Sequence, residues 1–228
     1  MSLYAIGDPH LSFSVDKPMD IFKGWTNYVE RFEKNWKNLI TDEDTVVLMG
    51  DISWAMKLEE AKKDFQFIND LPGQKIIMKG NHDYWWNTLT KLNEFTKENS
   101  FDKISFLFNN SYRVGDISVC GSRGWFFDAE KDDMDKVILR EAGRIRASIA
   151  EGRRLGGEAY VFLHYPPLTK ERICQPIFDV LKEEKITHCY YAHLHGAAAN
   201  YSFNGEKDGI KFELLSADYL NFCPKFIK

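Results

Sequence analysis

The chain has 228 residues, of which 44% are hydrophobic and 28% charged, with a formal net charge of −4. That size and composition suit one globular domain, residues 1–228, with a substantial core. An acidic chain carries no overall positive field to gather phosphate backbones, which disfavours a nucleic-acid partner.

The N-terminus runs directly into Leu3-Tyr4-Ala5-Ile6, a strand-like run too short for a signal-peptide core. A helix is predicted over 19–40, because Ile21, Trp25, Val29, Phe32, Trp36 and Leu39 recur every three or four positions. Thr45 to Met49 reads as a second strand. Leu58, Ala61, Phe65 and Ile68 then mark a helix that Pro72-Gly73 stops. Lys75 to Met78 is a third strand, and Leu89, Leu92 and Phe95 fit a shorter helix.

Ile104 to Phe108, Tyr112 to Val114 and Ile117 to Cys120 are separated by Asn109-Asn110 and Gly115-Asp116, the pattern of a β-meander that opens a second sheet. The charge-rich stretch 126–156 carries Val137, Ile138, Leu139, Ile145 and Ile149 at loosely helical spacing and ends at Gly156-Gly157, which predicts a solvated helix. Strands follow at Tyr160 to Leu163 and Thr187 to Tyr191, around a helix over 171–185 built on Ile173, Ile177, Val180 and Leu181. The chain returns to strands at Tyr201 to Phe203 and Ile210 to Leu215. Alternating strands and helices place the chain in the α/β class. No apolar run approaches the ~20 residues of a membrane span. Cys120, Cys174, Cys189 and Cys223 are scattered without a CxxC pair, which predicts reduced thiols and a cytoplasmic protein.

Five strand runs end in residue types that bind metals: Asp8-Pro9-His10, Gly50-Asp51, Gly80-Asn81-His82-Asp83, His164, and His193-Leu194-His195. Of the six histidines, only His188 lies outside these motifs. Ligands gather at the carboxyl ends of strands in α/β sheets, so sequence-distant groups of this kind would meet in one crevice. Imidazole combined with carboxylate and amide oxygen suits manganese, iron, zinc, cobalt or nickel, whereas an all-oxygen set suits magnesium or calcium. Trp54, Trp85, Trp86, Trp125 and Arg123 also follow strand ends; they read first as core or rim residues, with pocket lining as the alternative.

In combination and order these motifs resemble the calcineurin-like metallophosphoesterase superfamily, whose pattern runs DxH, GD, GNH[D/E], H, GHxH; the likeness spans residues 8–195. It implies a four-layer α/β/β/α sandwich of two mixed β-sheets flanked by helices. It also implies two divalent or trivalent ions, manganese or iron foremost. Asp8, His10 and His195 would bind one ion, Asn81, His164 and His193 the other, and Asp51 would bridge them. His82 would remain free for substrate, with Asp83 holding its ring and tautomer.

The activity implied is hydrolysis of a small phosphate mono- or diester by attack of a metal-bound hydroxide. Two positions depart from the family pattern. Ala192 stands where glycine usually precedes HxH, and Gly50-Asp51-Ile52-Ser53-Trp54 lacks the Asp-Arg-Gly continuation of the protein Ser/Thr phosphatases, which argues against a phosphoprotein substrate. The alternatives are a catalytically inactive binding scaffold on the same fold, or a nuclease or cyclic-nucleotide phosphodiesterase. For the last, His164-Tyr165-Pro166-Pro167 resembles the His-x-Pro-Pro segment of some phosphodiesterases. A basic strip beside the metals would favour the nuclease, and an enclosed aromatic pocket a small substrate.

Overall fold

A computed structural model describes residues 1–125 and 134–228. Strands β1 (Leu3–Ile6), β2 (Thr45–Leu48), β3 (Gln74–Met78) and β4 (Ile104–Leu107) run parallel, with β11 (Lys225–Phe226) antiparallel on the edge beside β1. The second sheet has the order β5 (Ser111–Val114), β6 (Ile117–Ser122), β7 (Glu158–Leu163), β8 (His188–Tyr191), β10 (Ile210–Leu214), β9 (Gly205–Lys207). Its four inner strands are parallel and its two edges antiparallel. Among the described residues no helix is long and apolar enough to cross a membrane.

The layering follows from the two-residue period of strand side chains. Along β1 to β3, Ile6, Val46, Leu48 and Ile77 face helices α1 (Tyr28–Leu39), α2 (Lys62–Asp70) and α3 (Leu89–Glu98). Their alternates Leu3, Ala5, Val47, Ile76 and Met78 join Val119, Tyr160, Phe162 and Tyr190 in a core between the sheets. The far side of the second sheet, with Val161, Leu163, Cys189 and Tyr191, packs on α4 (Met134–Leu155) and α5 (Gln175–Glu183). The result is the expected α/β/β/α sandwich.

Three expectations need correction. The first helix begins at Tyr28, because residues 19–27 form turns in which Gly24 (φ 92°) and Asn27 (φ 50°) take left-handed conformations that a right-handed helix cannot contain. The meander is split: β4 extends the first sheet beside β3, and only the β5–β6 hairpin belongs to the second. Tyr201 closes a 3-10 turn (Gly196–Tyr201), so the strand expected at 201–203 is absent and the edge strand is β9. Of the charged stretch, residues 126–133 lie outside the described residues. The rest is α4, which buries Ile138, Ile145 and Ile149, exposes Leu139, and stops before Gly156 (φ 80°) and Gly157 (φ 92°). His188 lies on β8, stacked on Tyr160 with centroids 4.3 Å apart.

Where β1 ends, Gly7 bridges to Ser216 past the end of β10, linking the two sheets at the carboxyl ends of these strands. A Cβ placed on Gly7 would stand 2.4 Å from the Ala192 Cβ, so the glycine is what admits the alanine noted above as a departure. Gly7→Ala is expected to destabilise the fold by about 1–3 kcal/mol through overpacking. Ala192→Gly should recover much of this loss, and additive losses in denaturant titrations of the double variant would refute the contact.

Lys75 is fully buried on β3, with Nζ donating to the carbonyls of Leu71 and Asn69. Burial, with the nearby Lys103, pushes its pKa down from 10.5 to about 7. Between those two values the unfolded chain binds more protons at this group than the folded one, so its contribution to stability rises with pH. The wild-type minus Lys75→Met stability difference should therefore climb between pH 7 and 10 by up to about 1.4 kcal/mol per unit. A difference independent of pH would show that Lys75 is charged in the fold.

Candidate metal centre

The parallel strands of both sheets point their carboxyl ends to one side, and the five motifs meet there. Asp8 (φ 59°), His10 (φ 46°), Asp51 (φ 51°) and His193 (φ 74°) all have left-handed backbones, a conformation that non-glycine residues keep only where the surroundings impose it. Here they are imposed by cross-links between strand ends. Asp8 N–H donates to Gly50 O (2.9 Å), His10 N–H to Asp51 O (3.0 Å), and His193 N–H to Asp8 Oδ2 (2.9 Å). Gly80 is required by crowding, since a Cβ there would fall 2.1 Å from Asp51 Oδ1.

The ligand-type atoms fall into two groups. Those of Asp8, His10 and His195 all lie within 4.8 Å of one another, as do those of Asp51, His164 and His193. Asp51 Oδ2 stands between the groups, 3.8 Å from His10 Nε2 and 3.6 Å from His164 Nε2. Asn81 Oδ1 completes the second, 2.7 Å from His164 Nε2.

The donor chemistry fits bound cations. His164 Nδ1 lies 3.0 Å from the carbonyl of Met49, a bond that requires the proton at Nδ1 and leaves Nε2 a lone pair facing Asn81 Oδ1. Two acceptors opposed at that range call for a positive charge between them. Likewise His10 Nε2 and His195 Nε2 face each other at 3.4 Å, and Asp8 Oδ1 and His10 Nδ1 are buried without a hydrogen-bond partner. Buried groups of this kind are normally satisfied.

The electrostatics agree. Burial, then Asp8, pushes the Asp51 carboxyl up to about 8, so without a cation these two acids cannot both ionise freely. Burial, then His164, lowers His193 to about 3 and keeps it a neutral ligand type. For His195, burial opposes charge but Asp8 and Asp218 outweigh it and raise the imidazole to about 10, so that without an ion the ring itself carries the positive charge the site calls for, a proton that a bound cation would displace. The same contact holds Asp8 well below the usual carboxylate range in spite of its burial.

Asp218 was not singled out in the sequence. It accepts from His195 Nδ1 (2.9 Å) and Gly196 N–H (2.8 Å), fixing the tautomer that turns Nε2 toward the centre. The signal was present, since Ser216-Ala217-Asp218 follows the end of β10 as the other motifs follow their strands.

His82 sits beside the centre with its backbone N–H on Asp51 Oδ1 (2.7 Å) and its Nδ1 without a partner. Asp83 does not hold the His82 ring, contrary to expectation. Its carboxylate is taken by the N–H groups of Asp51 (2.8 Å), Ile52 (2.8 Å) and Gly80 (2.7 Å) and by Trp85 Nε1 (3.0 Å). Asp83 therefore ties the Gly50 and Gly80 turns together, although burial and the Asp51 charge push its pKa up to about 7.

Trp54 stacks on His10 (centroids 4.9 Å) and packs at 4.5 Å from His82, while Trp25 lies 5.8 Å from both His10 and His195. With Met19 and Phe22 these rings line a cavity of ≈ 390 Å³ that opens on His82 and His195. Trp86 and Arg123 line a separate cavity, Trp85 is buried, and the Arg123 guanidinium lies 4.7 Å over Trp125.

A family model described as calcineurin-like phosphoesterase matches residues 1–197. An uncharacterised protein of Methanocaldococcus jannaschii is 36% identical over 50 residues, which is 22% of this chain and 27% of that protein's length. Among solved structures, a phosphopantetheinyl hydrolase from Mycobacterium tuberculosis superposes with a TM-score of 0.54 at 14% identity, over 99% of this chain and 95% of that one. A protein of unknown function from Aquifex aeolicus gives 0.51 at 16% identity, also over 99% and 95%. The protein TT1561 from Thermus thermophilus gives 0.55 at 13%, over 85% of this chain and 81% of that one. At such identities the likeness is one of fold.

Proposed function

This chain belongs to the calcineurin-like phosphoesterases, and from that premise we propose that it hydrolyses a phosphate mono- or diester of a small molecule at a dinuclear metal centre. The observation that carries the reading is the convergence of two ligand sets on one carboxylate oxygen, Asp51 Oδ2. Asp8, His10 and His195 would hold one ion, Asn81, His164 and His193 the other, and Asp51 would serve both.

Bound ions of this kind supply an activated water and the positive charge that offsets the growing charge on the phosphoryl oxygens. The chain's own groups do the rest. Met49 O and Asp218 fix the rings of His164 and His195 so that each presents its Nε2. Burial, then His164, holds the His82 pKa below its usual value, so at neutral pH its imidazole is neutral and carries one N–H. That N–H can donate a hydrogen bond to the oxygens of the transferring phosphoryl group as charge builds there. Trp25 and Trp54 exclude water from the leaving-group side.

The aromatic cavity favours a small substrate over a nucleic acid strand, because planar apolar walls stack on a compact leaving group. The intact ligand set weighs against an inactive scaffold. The test is manganese-supplemented hydrolysis of p-nitrophenyl phosphate and bis-p-nitrophenyl phosphate, with Asp51→Asn protein as control. Turnover of either substrate that vanishes in the control supports the reading, and the preferred one assigns a phosphatase or a phosphodiesterase. Metals bound with no turnover of either would mean a narrow substrate or the scaffold reading.

A further inference from the structure

A second cavity, of ≈ 580 Å³, lies apart from the aromatic one and is lined by Lys79, Trp86, Thr88, Phe108, Arg123 and Arg144 among others. It adjoins the centre through the backbone on both sides. Lys79 directly precedes Gly80-Asn81, and the Arg123 carbonyl accepts the N–H groups of His164 (3.1 Å) and Tyr165 (2.9 Å).

Three cations share this space, and Arg123 and Arg144 both act electrostatically on Lys79. The carboxylates near Lys79 are already engaged: Asp83 by N–H groups, and Glu141 by Ser122 (2.8 Å) and Arg144. Thr88 is the N-cap of the ten-residue α3, whose free N–H groups and positive dipole end border the same cavity. Trp86 Nε1 is buried without a hydrogen-bond partner among the described residues. Among the described residues Glu141 offsets one of these charges through Arg144, and an anion in the cavity would offset the repulsion of the others.

We propose that this basic cavity is a second anion subsite, which takes a phosphate-class group of the substrate other than the one hydrolysed. The proposal rests on the phosphoesterase reading and narrows it to small substrates carrying two anionic groups. Arg123 and Arg144 supply planar donor forks suited to phosphate oxygens, Lys79 a point charge, and the end of α3 backbone donors. The ring faces of Trp86 and Phe108 accommodate a planar group between the two anions.

The test is binding of inorganic phosphate to the full chain, followed by calorimetry and tryptophan fluorescence, in metal-loaded and in EDTA-treated protein. The expected result is a phosphate site that survives EDTA and weakens at least ten-fold in both Lys79→Met and Arg123→Met, with melting temperatures reported alongside. Should one variant fail to fold, Arg144→Lys keeps the charge and removes the fork, and should weaken phosphate by a smaller factor. Loss of all phosphate binding on chelation, or unchanged affinity in the folded variants, overturns the subsite. So does an oligonucleotide that binds through these residues where phosphate does not, which would assign the cavity to nucleic acid. The two readings separate cleanly. p-Nitrophenyl phosphate turnover without a chelation-resistant phosphate site removes the subsite alone. A subsite with no turnover leaves the subsite standing and points to a narrow substrate or the scaffold instead.

Discussion

Asp51→Asn protein is expected to lose at least about 10³-fold in kcat and to bind less than the full metal complement. Asparagine keeps the shape and can still accept from His82 N–H through its oxygen, so the turn should survive. What disappears is the single negative charge that faces His10 and His164 from one oxygen. Two divalent ions in one site repel strongly, and a shared carboxylate is the most direct compensation. The sign of the stability change distinguishes this account from simple damage. In EDTA the substitution removes a buried acid that Asp8 already disfavours, so the variant should melt at or above the wild type. With manganese added, the wild type should gain stability that the variant does not, because only a bound state contributes in this way. Full activity with both metals retained would show that Asp51 does not bridge.

His82→Ala should lower kcat by about 10²–10³-fold, the usual scale for a hydrogen-bond donor aimed at developing charge, while metal content stays at the wild-type level. The ring lies outside both ligand groups and touches Trp54 rather than a carboxylate. His82→Gln keeps an N–H donor and should recover part of the loss, chiefly in kcat rather than KM. Equal losses of metal and turnover in the alanine variant would make His82 a ligand instead.

Much of this was legible in the sequence because the carriers of the site are strand ends, and strands with both faces buried read as short apolar runs. The runs at Leu3, Thr45, Lys75, Tyr160 and Thr187 locate β1, β2, β3, β7 and β8 to within two residues, and the residues after each meet at one centre. Sheet membership was not legible. The strand at Ile104 has the same local pattern whether it turns back on the next strand or joins β3, and only packing against α3 and the inter-sheet core decides it. Trp25 hid within a helical period, although its segment forms turns that bring its ring beside His10. The role of Asp83 was misread for a related reason. Neighbours in sequence suggested a pair with His82, but a buried carboxylate is satisfied most fully by backbone N–H groups, and five donors from three segments reached it first.

The contact between Gly7 and Ala192 also acts as a spacer. Gly7 sits directly before Asp8 and Ala192 directly before His193, so one methyl group against one missing side chain sets how far apart the two sheets hold their halves of the centre. Ligands from the first sheet and ligands from the second thus approach each other by an amount tuned at a position that touches no ion. Metal ions differ in radius by fractions of an ångström, and a rigid cage reads such differences as affinity. Exchanging glycine and alanine at this position would therefore change the separation of the two strand ends without altering a candidate ligand.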